Sequence, residues 1–147
     1  MLRRILLVAL VPAATLAAAP ARHFEVTAAF KAPRAATGNG AVAVTFLAVD
    51  PDLKVNENPA PRLKLDLAQT VLVDKQPSPA SQVPDYDPLT VRYLDPAKPV
   101  LFPVAIAPKA PRGTHEVKAS VVFFYCSTRE AWCRRGSADV SIPVTVR

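Results

Sequence analysis

Apolar and polar residues alternate along much of this chain with a period of two. Phe24, Val26, Ala28 and Phe30 are interleaved with His23, Glu25, Thr27 and Lys31. That spacing gives a β-strand one apolar face, because successive side chains point to opposite sides of the pleat. Leu63, Leu65 and Leu67 alternate with Lys64 and Asp66 in the same way. Val42 to Val49 is apolar on both faces, the pattern of a central strand covered from two sides. The rhythm returns at Val71 to Asp74, Thr90 to Leu94, Val100 to Ala107, Glu116 to Tyr125 and Asp139 to Val146. Short strands at this spacing, about eight of them, with turn residues between, predict an all-β antiparallel sandwich.

Proline reinforces the reading. The chain has 16 prolines against 4 glycines, and they punctuate the apolar runs, which excludes long helices. Pro103 and Pro143 fall inside two runs. A proline donates no ladder hydrogen bond, so these positions are expected at sheet edges or bulges. The longest stretch without a strand pattern, Gln76 to Leu89, is a loop long enough to be a cover or a binding element. Ala32 to Gly40 is a second loop, whose Thr37-Gly-Asn-Gly40 marks a turn.

Met1 to Ala21 opens with Arg3 and Arg4, continues through the apolar run Ile5 to Val11 and ends in Ala19-Pro20-Ala21. It reads as a secretory signal peptide. A retained anchor is the weaker reading, because the apolar stretch is short and broken by Pro12, set against the roughly 20 residues that span a bilayer. Cleavage would leave residues 22–147 as one domain with no membrane span, exported to the periplasm or another oxidising compartment. The formal net charge is +6, two units of which leave with Arg3 and Arg4. The remaining cations are scattered apart from Arg134-Arg135, and no basic stripe with interleaved aromatics points to nucleic acid.

Candidate chemistry concentrates at Cys126 and Cys133, which bracket Ser-Thr-Arg-Glu-Ala-Trp between two strand-like runs. Period two sets Val117, Ala119, Val121, Phe123 and Tyr125 on one face and turns Cys126 to the other. Cys133 lies a few residues before the returning strand, which turns Val140, Ile142, Val144 and Val146 to one side. A hairpin brings such ends within bonding distance.

Three roles stand open for the pair. A permanent disulfide would stabilise by about 2.5 kcal/mol in the chain-entropy model. A redox pair needs an accessible sulfur and a leaving thiolate of moderate basicity; Arg129, Arg134 and Arg135 favour the anion and Glu130 opposes it. Trp132 either shields the sulfur, helps form a docking face, or simply covers the hairpin. A metal site would require His115 or His23, and neither stands at a familiar ligand spacing from the pair. Asp50 and Asp52 flank Pro51 in a turn. No catalytic triad, phosphate-cradling glycine loop or paired catalytic carboxylates accompany them, and no cofactor is implied.

Three segments carry a family likeness: Asp52-Leu-Lys-Val-Asn-Glu-Asn-Pro59 with Arg62 to Leu67, Lys98-Pro-Val-Leu-Phe-Pro-Val-Ala-Ile106, and Gly113 to Cys126 with the residues that follow. In these the chain resembles the N-terminal periplasmic domain of the thiol:disulfide interchange protein DsbD, over most of residues 24–146. The resemblance implies an immunoglobulin-like sandwich in which Cys126 and Cys133 shuttle a disulfide. Electrons would come from a thioredoxin-like donor and pass to periplasmic thiol proteins. Cys133 would be the attacking thiolate and Cys126 the resolving one. An aromatic-bearing cap loop shields the sulfurs in that family; Gln76 to Leu89 occupies the matching stretch, with Tyr86 its only aromatic. The chain departs from the family in a slightly longer Cys-to-Cys spacing, and in Arg134-Arg135-Gly136 where prolines often follow. The alternative is a non-catalytic, disulfide-stapled binding or structural module.

Overall fold

A computed structural model describes residues 22–33, 38–78 and 90–147. The signal-peptide reading of residues 1–21 lies outside the described residues, as do Tyr86 and most of the loop proposed as a cap. Among the described residues no helix forms, so none is long and apolar enough to cross a membrane.

The described chain forms strands β1 (Phe24–Lys31), β2 (Asn39–Ala48), β3 (Leu53–Val55), β4 (Arg62–Leu65), β5 (Leu72–Asp74), β6 (Val100–Ile106), β7 (Gly113–Ser127) and β8 (Trp132–Val146). They make two antiparallel sheets. One runs β1-β2-β6-β5. The other is built on β7: β8 pairs along one edge, while β3 and β4 share the opposite edge, β3 beside Tyr125 to Ser127 and β4 beside Ala119 to Val122.

Alternation explains how the sheets meet. Val42, Val44, Phe46, Phe102 and Val104 from the first sheet share one core with Val117, Val121, Phe123, Ile142 and Val144 from the second. Each fully buried side chain of this size contributes about 1.5–3 kcal/mol. Aromatic rings gather at one end, with Phe46 and Phe123 centroids 4.9 Å apart and Phe24 and Tyr125 5.2 Å apart, both edge-on, the geometry their quadrupoles favour. That end carries the β7–β8 hairpin tip.

Several expectations are corrected. β2 is central within its sheet but its second face opens to solvent at its end: Ala43 is buried on that face, whereas Leu47 is 62% exposed and Val49, just past the strand, 71%. Leu67 does not continue the leucine face and is fully exposed. β4 stops at Leu65 because the Asp66 carboxylate accepts the Ala68 N–H at 2.9 Å and turns the chain. Thr90 to Leu94 forms no strand. It makes a single bridge, Tyr93 to Asn56, before Asp95 accepts the Ala97 N–H and starts a turn. The three-residue β3 is too short to show periodicity, and the sequence pattern missed it.

The prolines behave according to their chemistry. Pro143 lies on β8, an edge strand. Pro103 lies on β6, between β2 and β5 and so not on an edge strand, but pairing with β5 ends there while pairing with β2 continues. Lys75 donates to Pro103 O at 3.1 Å, and proline has no N–H to return the bond, so β5 ends at Asp74.

Candidate functional site

The hairpin ladder runs further than the sequence pattern suggested. β8 begins at Trp132, not Asp139, and Cys133 stands directly opposite Cys126 in the register. Arg134, Arg135 and Ser137 hide the strand's alternation because the core has thinned at this end. Gly136 faces Phe123 across the ladder. A Cβ there would come within 2.9 Å of the Phe123 ring, so the strand passes over two aromatic rings only because residue 136 has no side chain.

The tip is the loop from Thr128 to Ala131. Ala131 takes the left-handed conformation with φ 54°, and its N–H donates to Ser127 O at 3.0 Å. The tip is tied to the β2–β3 turn: the Thr128 N–H and Oγ1 both donate to Asp52 O, at 3.0 and 3.1 Å. Arg129 bridges Asp50 and Asp52 at 2.8 and 2.9 Å. The Asp50 carboxyl is held below its ordinary pKa, first by the Asp52 N–H; partial desolvation opposes this and the Arg129 charge assists it.

Cys126 and Cys133 are joined, with an S–S distance of 2.00 Å and a Cα separation of 4.0 Å. Since Tyr125 and Phe123 point into the core, the pleat sets both sulfurs on the outer face of the β7 sheet, as the sequence reading placed Cys126. Outer does not mean open. Cys126 is 2% exposed, whereas Cys133 is only partly buried. The asymmetry follows from topology: Cys126 sits on a strand with neighbours on both sides, Cys133 on the edge strand.

What seals Cys126 is β3 and its continuation. Lys54 stands beside Cys126 in the register. Asn56, the next residue on that face, is fully buried, with its N–H donating to Phe124 O at 2.8 Å. Residues 92–94 lie along the far side of β3: Leu94 donates to Val55 O at 2.9 Å, and Glu57 donates to Arg92 O at 2.8 Å.

The cations and the tryptophan divide differently from expectation. Arg129 is engaged by the two aspartates, and the Arg134 guanidinium lies 4.3 Å from the centre of the Trp132 ring. Arg135, two residues beyond Cys133, shares its face. Lys54 and Arg135 are therefore the cations flanking the sulfurs, and neither forms an ion pair among the described residues. Trp132 belongs to the inner face, with its ring against Tyr125 and His23. It covers the end of the core and does not shield the sulfurs. Its Nε1 donates to Glu130 at 2.6 Å. Tyr125 has its pKa raised by burial, with Arg134 working against the shift.

No family model, curated protein or solved structure matches the chain. His115 lies near the start of β7 and contacts Pro111 O at 2.8 Å, at the opposite end of the strand from Cys126, so it cannot join the pair. No group of three or more histidine, cysteine or acidic side chains that could hold a metal occurs among the described residues. Sequence reasoning assigned no role to Lys54 or Asn56. Asn56 is 70 residues from Cys126, and only the sheet brings them together.

Proposed function

We propose that this chain is an exported thiol–disulfide exchange domain of the DsbD N-terminal kind, an immunoglobulin-like sandwich that carries electrons through Cys126 and Cys133. One observation carries the reading: the bond joins a sealed sulfur to a partly open one on an edge strand. On this reading an incoming thiolate attacks Cys133 and not Cys126.

Exchange then has a defined direction. The thiolate of a thioredoxin-like dithiol attacks Cys133 Sγ, a new S–S bond forms there, and the electron pair of the old bond leaves on Cys126. The donor's second thiolate breaks the mixed disulfide and releases Cys133, so two electrons have entered the domain. Towards a periplasmic disulfide protein the steps reverse: the Cys133 thiolate attacks and the Cys126 thiolate resolves. Lys54 and Arg135, on the same face, favour the thiolate form. The signal-like segment at residues 1–21 and the bonded cysteines suit an oxidising compartment.

Trapping tests the reading. With Cys126→Ser the lone Cys133 should form a mixed disulfide with a thioredoxin-like protein lacking its own resolving cysteine, and reductant should release it. A folded variant whose Cys133 titrates as a free thiol yet captures nothing contradicts exchange. The burial of Cys126 also suits a stapled, non-catalytic module; such a module would leave partner binding intact when both cysteines are replaced.

A further inference from the structure

Cys126 Sγ lies 3.2 Å from Asn56 Oδ1. A disulfide sulfur has no proton, so in the oxidised protein nothing donates across this contact. The other end of the amide is stranded: Asn56 Nδ2 is buried and has no hydrogen-bond partner among the described residues. The residue as a whole is fully buried. Buried donors are ordinarily paired, and one left unpaired beside a reacting atom calls for an explanation. A half-turn of the amide about its last side-chain torsion exchanges the two atoms and brings an N–H within hydrogen-bond reach of the sulfur.

We propose that Asn56 Nδ2 donates a hydrogen bond to Cys126 Sγ once the S–S bond opens, holding the buried leaving group as a thiolate. The inference rests on the exchange reading above. When a dithiol's thiolate attacks Cys133, the electron pair of the broken bond arrives on a sulfur sealed from water. A thiolate there is costly unless a donor faces it, and the unpaired amide is that donor. When the domain passes electrons on, the same hydrogen bond keeps Cys126 ready to attack the mixed disulfide on Cys133.

Among the described residues the charges around the pair are accounted for. Lys54 on β3 and Arg135 on β8 flank it, Glu57 is paired with Arg92 at 3.0 Å, Glu130 accepts from Trp132, and Arg129 is bound to Asp50 and Asp52. None of these pairings involves the Asn56 side chain, so a change in Cys126 reports the amide.

The test is the titration of Cys126 in Cys133→Ser protein, followed by thiolate absorbance. Adding Asn56→Ala should raise the thiol pKa by about one unit, a tenfold loss of thiolate at a given pH. Asn56→Asp, which keeps the shape but when ionised offers a negative charge and no donor, should raise it at least as far in the pH range where its carboxyl is ionised. In the two-cysteine protein, Asn56→Ala should shift the exchange equilibrium about tenfold towards the disulfide, measured where the parent Cys126 is thiolate; that is about 30 mV for this two-electron couple. An unchanged pKa in the folded variants overturns the proposal. If neither variant folds, the native protein gives the answer: the Asn56 side-chain amide proton resonances should move and gain exchange protection on reduction, and unmoved signals overturn it. The titration needs no partner protein. A Cys126 pKa that depends on Asn56, in a domain that no dithiol can reduce, would therefore sink the exchange reading and leave the hydrogen bond standing.

Discussion

Cys126 and Cys133 occupy one rung of the β7–β8 ladder, and their exposure differs because β7 is flanked on both sides while β8 is an edge. Once reduced, the two thiols should differ in reactivity. A bulky alkylating reagent should modify Cys133 in Cys126→Ser protein at least ten times faster than Cys126 in Cys133→Ser protein, after correction for the thiolate fraction of each. Mass spectrometry of timed samples gives both rates. Equal rates would mean that β3 and its continuation do not seal Cys126 in solution.

The sandwich should survive loss of the bond. Neither cysteine belongs to the core cluster, and the loop they close is short. Replacing both by serine should lower unfolding free energy by about 2.5 kcal/mol, the chain-entropy value for such a loop, and leave a cooperative denaturant transition. A chain that no longer folds would show the staple to be structural.

Gly136 should tolerate no side chain. Its Cβ would meet Phe123, itself 4% exposed and held among Phe24, Phe46 and Tyr125. Gly136→Ala is expected to cost about 1–3 kcal/mol by overpacking, measured from the shift in denaturant midpoint. A change below about 0.5 kcal/mol would mean that the rings can give way.

Acid should loosen the hairpin tip. The Asp50 carboxyl is lowered by the Asp52 N–H first, with desolvation opposing and Arg129 assisting. A carboxyl whose folded pKa lies below its unfolded value, about 3.9, adds stability above that value and loses it as pH falls through the folded pKa. Hydrogen exchange at the Thr128 amide, which donates to Asp52 O, should lose protection below about pH 4 in the native protein. In Asp50→Asn it should be far less pH-dependent. Identical profiles for the two proteins would contradict the assignment.

The sheets were legible wherever one face meets the core and the other meets water. β1, the first half of β7 and the last half of β8 follow a clean alternation, and the fold class drew on them. Legibility failed where the physics is not periodic. β3 is three residues long, β8 loses its alternation between Gly136 and the tip, and Leu47, Val49 and Leu67 are apolar residues left in solvent, which hydrophobicity alone cannot locate. The cysteine pair could be read as a candidate because its two members are seven residues apart in sequence. Asn56 and Lys54 reach it only through strand pairing, and no local pattern marks them. Trp132 and Arg134 looked like neighbours of the sulfur in sequence, but the pleat sends them to the opposite face.

The reduction potential of the Cys126–Cys133 pair tests the central claim most directly, measured by equilibration against a thioredoxin-like dithiol of known potential. Structural disulfides in exported proteins lie below about −300 mV. The account predicts a value well above that, with the domain folded in both redox states. A value below it, or a pair that such a dithiol cannot open, would contradict an electron-carrying role.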